Sequence, residues 1–144
     1  MARIDRKRLD EAAFPLVMTV PTRFDDLDAQ GHVNNAAAAV ILQEARTSVN
    51  RTARLAEVAP GFRAMVAALQ IEYAGEMYHP QPIEVSTGVL AIGRTSLTIG
   101  QVARQDGRPT LYAETVLVVA DASGPAAVPE ALRAAYEALL IRAA

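Results

Sequence analysis

Cysteine is missing from all 144 residues. Disulfides, thiolate metal ligands and a cysteine nucleophile go with it, and a reducing compartment fits that absence. Chemistry must therefore come from oxygen and nitrogen. Neither sign of charge dominates: a formal charge of -2, with 21% charged and 51% hydrophobic residues, leaves no electrostatic footprint for nucleic acid. Long apolar runs are lacking too, since none approaches the roughly 18 residues of a spanning helix. The basic start carries Asp10 and Glu11 ahead of its apolar run, and no small-residue cleavage site follows. We read no signal peptide, and the expected location is cytoplasmic. Phosphate-binding and dinucleotide glycine motifs are absent, "DDLD" lacks the downstream glycine and glutamate of a calcium loop, and no serine sits in a nucleophile elbow.

What is present fits one domain spanning residues 1–144, a length sufficient for a continuous core. Leu16, Met18, Val20 and Phe24 fall on alternate positions and predict a first strand with one buried face. From Asn35 to about Val58 the chain is rich in helix formers and free of Gly and Pro until Pro60-Gly61, which predicts one long helix. Its first turns, Ala36 to Leu42, are apolar on every side, and such a helix expects enclosure. Alternation in "ALQIEYAG" and "PIEVSTGVLAI", a run from Leu97 with a bulge expected at Gly100, and "TLYAETVLVVA" supply four further strands. Asp106-Gly107 marks a hairpin, and residues 61–67 are ambiguous. Pro129 opens a closing helix with an apolar stripe of Leu132, Tyr136, Leu139 and Leu140. The expected class is α+β, an antiparallel sheet around a buried helix.

Titratable chemistry is concentrated in "RFDDLDAQGHVNN", between the first strand and the long helix. Asn34 or Asn35 suits a helix cap. The first-turn peptide N–H groups have no intrahelical partners and sit at the positive end of the dipole, so they can hold a negative oxygen. Asp25, Asp26 and Asp28 precede them, and a carboxylate facing such N–H groups is the minimum equipment for acyl transfer. Gly31 is a backbone necessity, either positive φ or close approach. Asp25 and Asp26 read as loop or capping carboxylates, Glu44 as an ion-pair or interface residue, and His79 as an exposed turn residue.

"DLDAQGHVNN", followed by a long helix and four strands, resembles the hotdog-fold acyl-CoA thioesterases of the 4-hydroxybenzoyl-CoA thioesterase type. It is also similar to the hotdog acyl-ACP thioesterases. The likeness runs from Val17 to about Asp121, sharpest at Asp28, Gly31, His32, Asn34 and Asn35, with "IEY" at 71–73 and "GRTS" at 93–96 agreeing further on. It implies a hotdog fold: a five-stranded antiparallel sheet wrapped around the central helix, here with a C-terminal helix added. It implies hydrolysis of an acyl thioester, with Asp28 as nucleophile or general base and the Asn35 peptide N–H polarising the carbonyl. His32 is expected to order water, orient Asp28 or assist as a base. Gly31, Asn34, Ala38 and Arg94 are expected to contact substrate. Relatives often carry an aromatic residue where this chain has Ala38, so the alanines imply a wider acyl pocket, and the acyl-ACP branch has asparagine at the position of Gln30.

No cofactor or metal is expected beyond the coenzyme A of the substrate. The expected partners are an acyl-CoA or acyl-carrier-protein thioester and further copies of the chain, as a homodimer or homotetramer with the site at the subunit boundary. Arg94, Arg104 and Arg108 suit coenzyme A phosphates. The competing class is a non-catalytic acyl-thioester-binding module. A hydratase lacks support, because the paired acid–histidine motif with downstream hydration residues is not seen.

Overall fold

Alternating burial decides which residues form the sheet, and a helix laid on its inner face supplies the core. The computed structural model describes residues 2–144. A short helix α1 (Arg6–Asp10) and strand β1 (Ala12–Ala13) lead into β2 (Leu16–Val20), then the long helix α2 (Asn35–Ala53) and a single turn α3 (Leu55–Val58). Four long strands follow: β3 (Arg63–Tyr73), β4 (Ile83–Ile92), β5 (Ser96–Gln105) and β6 (Arg108–Asp121). The chain ends in β7 (Gly124–Pro125), α4 (Glu130–Glu137) and β8 (Arg142–Ala143). The main sheet runs β2-β4-β5-β6-β3 with antiparallel pairs throughout, and β7 adds to β6. This is the expected hotdog architecture of a curled antiparallel sheet, a long central helix and a C-terminal helix.

Ala38, Leu42, Ala45 and Val49 on α2 are fully buried. Their spacing of three and four residues puts them on one face. Toward the start of α2 this face packs with Ile83, Val85, Ala103 and Ala113. Toward its end it packs with Leu97, Ile99, Leu132 and Tyr136. The outer sheet face is partly covered as well, because Leu9 of α1 packs on Val102 and Tyr112. Glu72 holds that segment down by accepting from the Ile4 peptide N–H at 2.8 Å and from Arg6 Nε at 2.7 Å. These bonds keep its carboxyl below the usual carboxylate range.

Several local expectations are corrected. The long helix stops at Ala53, where Arg54 takes a left-handed conformation (φ 57). The chain can then fold back, and Leu55 and Ala59 join the cluster around Leu132. The ambiguous residues 61–67 are mostly strand, because β3 begins at Arg63. The first strand ends at Val20, and Phe24 opens a 3-10 turn and is 78% exposed. The bulge in β4–β5 lies at Leu90 rather than Gly100. Gly100 pairs regularly, and a side chain there would collide with Leu90 and Leu9. Within one chain the start of α2 is not fully enclosed: Ala36 is exposed and Val40 is 57% exposed. Among the described residues no helix is long and apolar enough to cross a membrane.

Candidate active site

The loop that carries Asp28 is closed by its own backbone. Leu27 and Val33 form an antiparallel bridge, and the Asp28 N–H donates to the His32 carbonyl at 2.9 Å. Gly31 turns the loop at φ +80, a conformation that favours glycine. Asp28 Oδ1 accepts from the peptide N–H of Gln30 (2.9 Å) and of His32 (3.2 Å). Its Oδ2 has no hydrogen-bond partner among the described residues, so one oxygen fixes the carboxylate and the other stays free. Asp26, by contrast, is buried and caps the turn through Arg23, accepting from its peptide N–H at 2.9 Å and pairing with its guanidinium at 3.2 Å. This is the structural role expected of it.

Helix α2 starts directly after that loop. Asn34 is the cap, its Oδ1 accepting from the Ala37 N–H at 2.7 Å. The peptide N–H groups of Asn35 and Ala36 have no acceptor among the described residues, so two donors at the positive end of the helix remain available. Asp28, Gln30, His32 and Asn35 line one open cavity of about 520 Å³, and Tyr73 and Glu76 close its other side. Tyr73 reaches the helix start, its hydroxyl donating to the Asn35 carbonyl at 3.2 Å.

Glu76 is the residue that sequence reasoning missed. Its Oε2 lies 3.1 Å from His32 Nε2 and accepts from the Tyr78 hydroxyl at 3.1 Å. Tyr78 also meets the His32 ring edge-on at 5.2 Å. The bond to Glu76, with partial burial, pushes the Tyr78 phenol above its ordinary range. His32 is thus held from three sides: backbone to Asp28, Nε2 to Glu76, and ring to Tyr78. The one sequence signal for Glu76 was its place just after an apolar strand, in "AGEMYHP". The Val33 N–H bond to the Met77 carbonyl, at 2.8 Å, folds this loop back over the helix start.

Other expected residues fall elsewhere. Ala38 is fully buried in the core, one turn below the open face, and does not line the cavity. Arg94 is exposed in the turn between β4 and β5, at the opposite end of the sheet from Tyr73, where its carbonyl accepts from the Val128 N–H. Arg104 turns to Asp10 at 3.8 Å. Arg108 extends a guanidinium nitrogen toward Gly75, which lines the cavity, but does not itself line it. Glu44 is exposed and has no ion pair among the described residues. His79 is half-buried rather than exposed, its Nδ1 3.0 Å from the Thr22 hydroxyl.

Residues 22–136, from the first strand's end through α4, match the model of the thioesterase-like superfamily. The chain belongs to that superfamily. Among curated proteins, this thioesterase is 25% identical over 118 residues to uncharacterized protein YsmA of Bacillus subtilis strain 168, covering 81% of this chain and 80% of that one. Its fold is similar to a predicted thioesterase from Bacillus stearothermophilus, with a TM-score of 0.80, 24% identity, and coverage of 87% of this chain and 96% of that one. It is also similar to a thioesterase complexed with coenzyme A and Zn from Thermus thermophilus, with a TM-score of 0.77, 29% identity, and coverage of 88% and 94%. In the thioesterase described here, no three His, Asp or Glu side chains gather as a metal-ligand set among the described residues. Thioester hydrolysis is the general activity that the superfamily supports.

Proposed function

We propose that this thioesterase hydrolyses acyl-CoA thioesters to a carboxylic acid and free coenzyme A, with Asp28 as the catalytic carboxylate. One observation carries the reading: Asp28, with one carboxylate oxygen free, and Asn35, with its peptide N–H unpaired, line the same cavity. The thioester carbonyl oxygen lies against the Asn35 N–H, and the negative charge that develops there is stabilised by the helix start. Asp28 either attacks the carbonyl carbon directly or takes a proton from a water that does. The carbon–oxygen bond forms, the carbon–sulfur bond breaks, and the thiolate leaves; on the direct route water then hydrolyses the resulting acyl–Asp28 anhydride, releasing the carboxylic acid and regenerating the carboxylate. The parent thiol has a pKa of about 8.5, so departure needs little proton donation. His32, fixed by Glu76 and Tyr78, orders the water and steadies the Asp28 loop.

Coenzyme A is the favoured carrier because a similar thioesterase binds it and because Arg108 reaches toward Gly75 at the cavity's edge, where a guanidinium suits phosphate. A second copy of the chain completes the site. The edge strand β3 carries no charge from Ala64 to Leu69, and Met65, Val66, Leu69 and Tyr73 are each at least 40% exposed, as is Val40 of α2. Such an edge requires cover, which edge-to-edge pairing of two copies supplies. The reaction as proposed uses no cofactor or metal, and the cytoplasm remains the expected place for it. An acyl-carrier-protein thioester is the rival substrate. Comparing thiol release from one acyl group carried on coenzyme A and on carrier protein tests this. Faster release from coenzyme A is expected, and release from carrier protein alone would contradict the reading.

A further inference from the structure

Gln101 and Gln105 on β5 are both fully enclosed, and they serve different parts of the molecule. Gln101 turns into the core, where its Nε2 donates to the Leu42 carbonyl of α2 and to the Thr87 hydroxyl. Gln105, the last residue of the strand and 1% exposed, turns instead to the loop of residues 74–82 that joins β3 to β4. Its Oε1 accepts from the Tyr78 peptide N–H at 2.8 Å. Its Nε2 donates to the Tyr78 carbonyl at 2.7 Å and to the Gln81 carbonyl at 2.9 Å. Both amide hydrogens and the amide oxygen are thereby used. No other described residue bonds to the Tyr78 N–H or carbonyl.

Packing does little to place this loop, since Met77 alone of residues 74–82 is buried. Its position comes from hydrogen bonds. Ala74 and Gly75 donate to the Thr110 carbonyl, the Met77 carbonyl accepts from Val33, and the Thr22 hydroxyl reaches the Gln81 carbonyl. Tyr78 is left to Gln105. That residue faces the active site: its ring meets His32 edge-on at 5.2 Å, and its hydroxyl donates to Glu76 at 3.1 Å. Glu76 in turn is exposed, and among the described residues its side chain bonds only to Tyr78 and His32. Where the Tyr78 backbone stands therefore decides where both groups that hold the His32 side chain stand.

We infer that Gln105 is a positioning residue for thioester hydrolysis, acting on His32 through Tyr78 and Glu76. It does not line the active-site cavity and meets no substrate there. The inference rests on the reading that His32 serves the reaction at Asp28. Gln105→Met keeps nearly the same length and removes all three bonds. The Tyr78 peptide groups then need other partners, which water supplies once the loop moves outward. The phenol and the carboxylate move with it, and a misplacement of ~1 Å at an active site costs up to ~100-fold in rate.

The test compares thiol release from acyl-CoA by the full-length native protein and Gln105→Met, together with proton–nitrogen spectra of the histidine rings. With two histidines in the chain, His32→Asn assigns both rings. In Gln105→Met kcat should fall at least ~10-fold with KM within about twofold, and the His32 ring signals should shift. In a protein already carrying Glu76→Gln and Tyr78→Phe, the same change should cost no more than about twofold further, because the route to His32 is gone. An equal loss in both backgrounds would mark a general disturbance of the fold and overturn the inference. So would a folded Gln105→Met protein with native kcat or unmoved His32 signals. If the native chain releases no thiol, the coenzyme A reading falls and the ring signals alone decide: unmoved signals overturn the positioning role, and shifted signals uphold it. If Gln105→Met does not fold, Gln105→Glu takes its place with the same expected outcomes, since it keeps the acceptor for the Tyr78 N–H and loses the donation to the two carbonyls.

Discussion

The two ends of α2 differ in composition, apolar at the start and polar toward the end, and are finished in opposite ways. At its C-terminal end, Val49 and Ala53 are sealed under α3 and α4, and Asn50 accepts from the buried Tyr136 hydroxyl at 2.6 Å. At its N-terminal end, Asn35 and Ala36 are exposed, two peptide N–H groups are unpaired, and a carboxylate keeps one oxygen free. One end is spent on stability, and the other leaves polar groups unsatisfied where a reaction can use them. Substitutions at the two ends should therefore separate activity from stability.

The largest expected effect is at the open end. Asn35→Pro removes the proposed carbonyl donor at the first helical position, where proline is well tolerated. The preceding Asn34 already has φ -74 and ψ 162, compatible with a following proline. Turnover should fall by ~100–1,000-fold with little change in melting temperature; a folded, fully active proline variant would remove the Asn35 N–H from the mechanism. Next is Leu42→Ala in the core beneath the helix. It should lower stability by about 2–5 kcal/mol in urea unfolding, whereas Val40→Ala on the exposed face should change it by less than about 0.5 kcal/mol. Similar losses at both positions would show that the start of α2 is already enclosed in a single chain.

The smallest effect is at the sealed end. Burial pushes the Tyr136 phenol up to about 12, against about 10 for an ordinary tyrosine. Folded protein thus holds this proton more tightly than unfolded chain. The associated stability is complete below about pH 10 and is lost as the pH rises through the folded value. Tyr136→Phe should cost about 1 kcal/mol at neutral pH through the lost bond to Asn50 and should flatten the alkaline decline. An unchanged alkaline decline would assign it to other groups.

Elements were easier to read from this chain than the way they meet. Alternation at Leu16, Met18 and Val20 and the Gly-free, Pro-free run from Asn35 marked strand and helix directly, since periodicity is local. Asn34 and Gly31 were legible because a cap and a positive φ each select few residue types. Glu76 was not, because its approach to His32 depends on two strands pairing across many residues. Arg94 misled for the same reason: its place at the far end of the sheet is a fact of topology. The break at Arg54 escaped because nothing in "TARLAE" announces a left-handed residue.

The central claim is that the free oxygen of Asp28 drives thioester hydrolysis. The direct test is thiol release from aromatic, short-chain and long-chain acyl-CoAs, comparing the native chain with Asp28→Asn; the protein contributes no thiol of its own. The account predicts release from one class of these and a loss of at least ~100-fold on substitution, with the fold unchanged by circular dichroism. Near-native release by a folded Asp28→Asn protein would contradict it.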